Sequence, residues 1–213
     1  MQYTLAGPVG TETTVGTEIK HSRFIATLRR IATEQDARDF LDEQRRLFPD
    51  ARHHCWAYVV GDDSVDRIER SSDDGEPGGT AGLPMLQMLK GRDLVNVAAV
   101  VTRYFGGIKL GAGGLVRAYS GAVGSVVDQS RLIGRRRLEM FTLGVDHADA
   151  GRVESELRGR GVAVTDTVYA ENAVLTLAAH DSAELENLVA ATTSGVGTLE
   201  PAGEMWTDTD NAL

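Results

Sequence analysis

A single cysteine among 213 residues excludes both a disulfide framework and a four-thiolate zinc site. Only five prolines are present, too few for a proline-rich extended chain. Long apolar runs are also missing. Stretches such as Val97–Val101 fall far short of the roughly 20 residues that cross a bilayer. Met1–Gly16 has no basic start followed by an apolar core, so it does not read as a signal peptide. The expectation is a soluble, cytoplasmic protein. Hydrophobic residues at 42% and charged ones at 25% make an ordinary globular balance. The length suits one large domain or two small ones of about 100 residues each.

Positive charge is scarce in the second half. Residues 1–137 carry 19 Lys/Arg against 17 Asp/Glu, a net of +2, whereas residues 138–213 carry 3 against 14, a net of −11. The shift marks a boundary near Arg135–Arg137, with domains expected over 1–136 and 137–213, and gives the halves different partners. A polyanion is repelled by the second half and can approach the first only where positive charge is local. The Arg135–Arg137 triplet itself reads as a solvated linker.

Alternation over Thr13–Ile19 predicts a half-buried strand, and Arg23–Ile31 a second strand in a hairpin with it. Thr33 caps a helix carrying the stripe Ala37, Phe40, Leu41 and Leu47, which Pro49 ends. His53–Val60 is apolar on both faces and reads as a covered strand. Residues 61–82 show no periodicity and read as a long loop. Pro84 opens a short helix ending at Gly91; Val95–Phe105 is a strand, and a helix runs from Leu115 to about Gln129. The second half reads as strand Leu138–Val145, helix Ala148–Arg160, strands Val162–Tyr169 and Ala173–Ala179, a helix from Ser182 to Thr193, and a last strand beginning at Val196–Leu199. That order, βαββαβ, is the ferredoxin-like pattern. The tail from Thr207 is polar and reads as frayed. The fold class is α+β.

The richest stretch for chemistry runs from Arg103-Tyr104-Phe105-Gly106-Gly107 to Tyr119. A strand feeds a loop holding Gly106, Gly107, Gly111, Gly113 and Gly114, and a helix follows at once. Bare amides and a helix N-terminus favour an anion, typically a phosphate. Arg103, Lys109 and Arg117 supply cations there, and Tyr104, Phe105 and Tyr119 a stacking surface. Lys109 is followed by Leu110, so there is no P-loop, and position 116 is Val, so the dinucleotide fingerprint fails. No cofactor is implied. A tight strand-to-helix turn is the bland alternative for the glycines. Asp73, Asp74 and Glu76 form a second candidate, able to hold Mg²⁺ or to act as acid and base, or else simply an exposed turn, or a loop that pairs with the Lys109 loop and holds the two together. Arg52, His53 and His54 are a third. Adjacent histidines on a strand face opposite ways and cannot share a metal, and Cys55 lacks a partner set for nucleophilic chemistry.

Ser22-Arg23-Phe24-Ile25, Pro49 to Ala57, Ser72 to Pro77 with Gly79-Thr80-Ala81-Gly82 and Pro84, and Arg103 to Tyr119 stand in the order of one family's motifs. On these residues the chain resembles the YigZ/IMPACT proteins, with Gly78 a departure where Ser or Ala is commoner. The resemblance implies a first domain with the left-handed-crossover fold of a ribosomal protein's domain 2 and of domain IV of elongation factor G. It implies a ferredoxin-like second domain similar to domain V of that factor. Eukaryotic members are translational regulators that bind a protein activating a stress kinase. A translation-linked binding protein contacting RNA, the ribosome or a translation-associated protein is therefore the leading expectation. An enzyme acting on a phosphorylated small molecule, with the carboxylate loop and Mg²⁺, is the alternative. Oligomeric state is not legible.

Overall fold

The computed structural model describes residues 1–212, with side chains through Thr209. The chain divides into two compact units, Met1–Arg135 with the chain end from Asp208, and Arg136–Thr207.

The first unit is built on an antiparallel sheet. Strands β2 (Glu12–Ile19) and β3 (Ser22–Arg30) form a hairpin closed by Lys20 and His21, both at positive φ as a two-residue primed turn requires. Next come α1 (Glu34–Leu47), β4 (His53–Val60), β5 (Ile68–Ser72), α2 (Gly82–Gly91), β6 (Val97–Tyr104) and α3 (Ala112–Asp128). The sheet order is β2-β3-β6-β4-β5, with every pair antiparallel.

Alternation assigns the two faces. Phe24, Leu28, Cys55, Ala57, Val97, Ala99 and Val101 pack with Met85, Leu89, Leu115, Tyr119 and Val123 of α2 and α3. Tyr58, Ala98 and Val100 pack on the other side with Ala37 and Phe40 of α1. Thr33 caps α1 through a reciprocal box with Asp36. Of the expected α1 stripe, Leu47 is 64% exposed. Gln44 turns inward instead, its Oε1 accepting from Thr27 Oγ1 at 3.4 Å.

Several elements depart from expectation. Residues 61–82 are not all loop, because β5 pairs along β4 from Trp56↔Ser72 to Val60↔Ile68. Its Ile-Glu-Arg-Ser-Ser sequence has no apolar alternation because it is an edge strand, ordered by backbone pairing. A short β1 (Gln2–Leu5) pairs with the start of β7 (Leu132–Val145), which begins six residues before the expected Leu138. Arg135–Arg137 therefore lies in a strand rather than a linker, with Arg136 and Arg137 exposed and Arg135 drawn inward. Arg135 donates to Asp62 (2.7 and 2.9 Å) and to Asp208 (2.6 Å), and Arg30 donates to the same Asp208 at 2.7 and 3.0 Å. α3 begins at Ala112, so Gly113 and Gly114 belong to its first turn rather than to a loop.

In the second unit β7 continues into α4 (His147–Gly159), β8 (Ala163–Tyr169), β9 (Ala173–Ala179), α5 (Ser182–Thr192) and β10 (Leu199–Ala212). The order β10-β7-β9-β8, with β9 antiparallel to both β7 and β8, is the ferredoxin-like arrangement that the βαββαβ pattern predicts. Leu143, Val153, Leu157, Leu175, Leu177, Leu185 and Val189 fill its core. Asp181, not Ser182, caps α5, accepting from the Ala183 and Glu184 amides. The expected fraying from Thr207 does not hold, since β10 extends to Ala212; the part of that expectation falling on Leu213 lies outside the described residues.

Candidate functional site

The site grows from one row of side chains across the first unit's sheet. Phe24 on β3, Arg103 on β6 and His53 on β4 are direct cross-strand partners, so all three project from the face that α2 and α3 cover. Tyr104, one residue on, must face the other way, which removes it from any surface shared with Arg103.

A guanidinium at the edge of an apolar core needs a counter-charge, and the loop after β5 supplies it. Glu76 Oε1 accepts from Arg103 Nη1 at 2.5 Å and from the Tyr119 hydroxyl at 2.8 Å, with Glu76 and Arg103 side chains only 4% and 6% exposed. Arg103 also reaches Ser22 Oγ at 3.4 Å, and its carbon Cζ lies 5.4 Å and 5.6 Å from the ring centres of Phe24 and Phe105. Its Nε is buried and has no partner among the described residues.

The other two loop carboxylates hold Glu76 in place. Asp73 accepts from the backbone amides of Gly79, Ala81 and Gly82 at 2.8–2.9 Å, capping α2, which lacks a side-chain cap of its own. Burial alone would raise the Asp73 carboxyl, but those amides hold it below its ordinary value. Gly82 passes so near Ser72 that a Cβ would lie 2.7 Å from its backbone. Asp74 accepts from the His54 amide at 2.7 Å and from Arg45 at 3.2 Å. Its carbonyl accepts from His53 Nδ1 at 2.8 Å, so that nitrogen carries the ring hydrogen.

Three titratable groups are driven toward neutrality. Burial, with Glu76, Asp74 and Asp73 nearby, pushes the Cys55 thiol up to about 12, and it donates to the Asp73 carbonyl at 3.0 Å. Burial, Cys55 and Glu76 raise the Tyr119 hydroxyl far above its usual range. Burial lowers His54, against the pull of Asp74.

Beyond this buried cluster opens a cleft of about 400 Å³. Arg52, His53, Glu76, Pro77 and Arg103 line it together with Phe105, Lys109, Leu110 and Leu115, and Gly111 and Ala112 bring in the start of α3. Gly111 is the N-cap at φ +71° and makes no side-chain cap. The Ala112, Gly113 and Gly114 amides have no partner among the described residues, and the first intrahelical bond is Leu115 to Gly111. Lys109 and Arg52 are exposed and form no ion pair or hydrogen bond among the described residues.

The expected site residues thus separate. Lys109, Gly111, Arg52 and His53 line the cleft, and Gly113 and Gly114 lie in the adjoining first turn. Gly107 is exposed at φ +86°. Gly106 is structural: its amide donates to Ser22 Oγ at 3.2 Å, and a Cβ there would overlap the His21 carbonyl. Arg103 is not a free cation, because Glu76 neutralises it. Tyr119 is no stacking surface, being fully buried edge-on to Phe24 with centroids 5.3 Å apart. Arg117 is exposed on α3, outside the cleft lining, and His54 is buried on the opposite face from His53. The three carboxylates turn to different protein donors, and no group of three His, Cys, Asp or Glu able to hold a metal occurs among the described residues. Sequence reasoning missed Ser22, Leu110 and Leu115 as site residues; it weighed a pairing of the carboxylate loop with the Lys109 loop, whereas Glu76 pairs with Arg103.

The fold and this cleft describe a two-unit α+β protein whose first unit carries a recess, lined by Lys109 and Arg52, at a strand-to-helix junction. The model of the Impact N-terminal domain matches residues 20–127, and that of a domain of unknown function, DUF1949, matches residues 143–196. The chain belongs to the IMPACT family. IMPACT family member YvyE of Bacillus subtilis is 44% identical over 154 residues, 72% of this chain and 70% of that protein. IMPACT family member YigZ of Escherichia coli is 43% identical over 144 residues, 68% of this chain and 71% of its own. A crystal structure described as a hypothetical protein superposes with a TM-score of 0.72 at 36% identity, covering 93% of this chain and 95% of that one. The two-domain translational regulator Yih1 is 26% identical, with a TM-score of 0.41 over 58% of this chain and 48% of its own. No described helix is long and apolar enough to cross a membrane.

Proposed function

We propose that this chain is a translation-linked regulatory protein that binds RNA through the first-unit cleft. One observation carries the reading: Lys109 and Arg52 line a single recess with no carboxylate partner among the described residues, beside the uncapped start of α3. Two unpaired cations and open amides suit a phosphate backbone. Family membership supports the link to translation, and the net of −11 over residues 138–213 directs an RNA to the first unit.

Anisotropy titrations with single-stranded RNA at low salt test this. Binding is expected to weaken steeply with salt, and Lys109→Ala and Arg52→Ala are each expected to lower the log–log slope by about 0.7, one single-strand phosphate contact. Unchanged affinity in both variants overturns the reading. A blank titration accompanied by specific capture of a protein partner overturns it in favour of protein recognition.

A further inference from the structure

The shape and lining of the cleft narrow what it can hold. At about 400 Å³ it is at the small end of ligand pockets, a space for one nucleotide and closed to a duplex. Its lining combines polar and apolar parts. Lys109, Arg52 and the α3 start supply donors, whereas Phe105, Leu110 and Leu115 supply an apolar wall. Phe105 is 49% exposed, an aromatic ring left open beside charged groups. Glu76 is the one carboxylate in the lining, and its charge is matched by Arg103 within the same recess, so Lys109 and Arg52 remain as a formal surplus of two positive charges. In the same lining the Arg103 Nε, on a side chain 6% exposed, is a donor with no acceptor among the described residues.

Two unpaired cations exceed what one bridging phosphodiester needs and suit the dianion of a phosphomonoester. An open aromatic ring beside them suits a base, since single-stranded bases are held chiefly by stacking. We propose that the cleft binds a nucleoside carrying a terminal phosphate, with the phosphate against Lys109, Arg52 and the α3 amides and the base against Phe105. The chemistry is shared by a free nucleoside monophosphate and by the 5′-phosphorylated end of a single-stranded RNA. The inference rests on the reading of the cleft as an anion site and names its ligand.

Calorimetric titration of the full chain with AMP, UMP, orthophosphate and adenosine tests it, alongside 5′-phosphorylated and 5′-hydroxyl forms of one RNA oligonucleotide. The monophosphates are expected to bind roughly tenfold or more tightly than either orthophosphate or adenosine. Lys109→Ala is expected to weaken monophosphate and orthophosphate alike. Phe105→Ala is expected to weaken the monophosphate roughly tenfold and leave orthophosphate unchanged. Tight monophosphate binding with preference for the phosphorylated oligonucleotide supports both this inference and the RNA reading. Tight monophosphate binding with no oligonucleotide binding supports the inference, places the ligand among free nucleotides and overturns the RNA reading. Equal binding of the two oligonucleotides, uncompeted by AMP, overturns the inference and leaves the RNA reading standing. Silence from every ligand overturns both.

Discussion

Glu76→Gln separates the structural and binding roles of the cleft floor. The substitution keeps the side-chain shape and an oxygen that can accept from Tyr119, and it removes only the charge that faces Arg103 at 2.5 Å. With both side chains almost wholly buried, the Arg103 guanidinium is left without a counter-ion. Breaking a buried pair from one side costs about 3–5 kcal/mol. The amide oxygen still accepts, so the lower end, about 3 kcal/mol, applies. At roughly 2–4 °C per kcal/mol for a domain of this size, the first unit's Tm should fall by about 6–12 °C. The same change uncovers a third positive charge in the cleft, so phosphate affinity should rise several-fold while stability falls. Calorimetry and phosphate titration on one preparation read both quantities. Adding Arg103→Met to Glu76→Gln should regain much of the stability, since a buried pair replaced on both sides by uncharged groups is far less costly than one broken, and should abolish the affinity gain. A Glu76→Gln variant that melts with the parent chain, or that binds phosphate more weakly, would refute the assignment of Glu76 as the partner that neutralises Arg103.

Acid titration examines the end of β10. Burial would raise the Asp208 carboxyl, but Arg30 and Arg135 hold it below its ordinary 3.8. Its contribution is therefore complete above that value and is lost as pH falls through the lower folded value, so Asp208→Asn should flatten the acid-unfolding limb below about pH 4; an unaltered limb counts against the clasp. With its thiol pushed up to about 12, native Cys55 should resist iodoacetamide near neutral pH and react fully once the chain is unfolded. Rapid native alkylation would show that the thiol is not held as described. Gly106→Ala should destabilise by about 1–3 kcal/mol or more, because its Cβ meets the His21 backbone rather than a movable side chain; a neutral melt would place the loop elsewhere.

The fold was legible wherever one face of an element is apolar at a regular period. The stripe Leu115, Ala118, Ala122 and Val126 marks α3, and the unbroken apolar run after His54, covered on both faces, marks β4, because in each burial dictates the residue types. β5 escaped because Ile-Glu-Arg-Ser-Ser is specified by pairing with β4, a partner that periodicity cannot sense. The start of β7 escaped for an electrostatic reason. Three consecutive arginines read as solvated, yet Arg135 is nearly buried because Asp62, 73 residues earlier, and Asp208, 73 residues later, converge on it. No local window contains those carboxylates.

The cleft divides the same way. Glycines, a strand end and a helix start identify the junction at Gly106–Gly114 because turns and open amides leave a local mark in residue type. Whether a cation beside that junction is free to meet a ligand is a tertiary property, fixed by where the opposite charges fall. Arg103 and Lys109 are equivalent as sequence, six residues apart. Strand alternation puts Arg103 on the covered face, where burial without a counter-charge is prohibitive, and Asp73 pins the loop that delivers Glu76 to it. Lys109, on the loop before α3, faces no such constraint and stays unpaired among the described residues. The carboxylate loop is thus best understood as the device that silences one cation and leaves its neighbours available, so its three acidic residues shape the recess through the charge they remove from it.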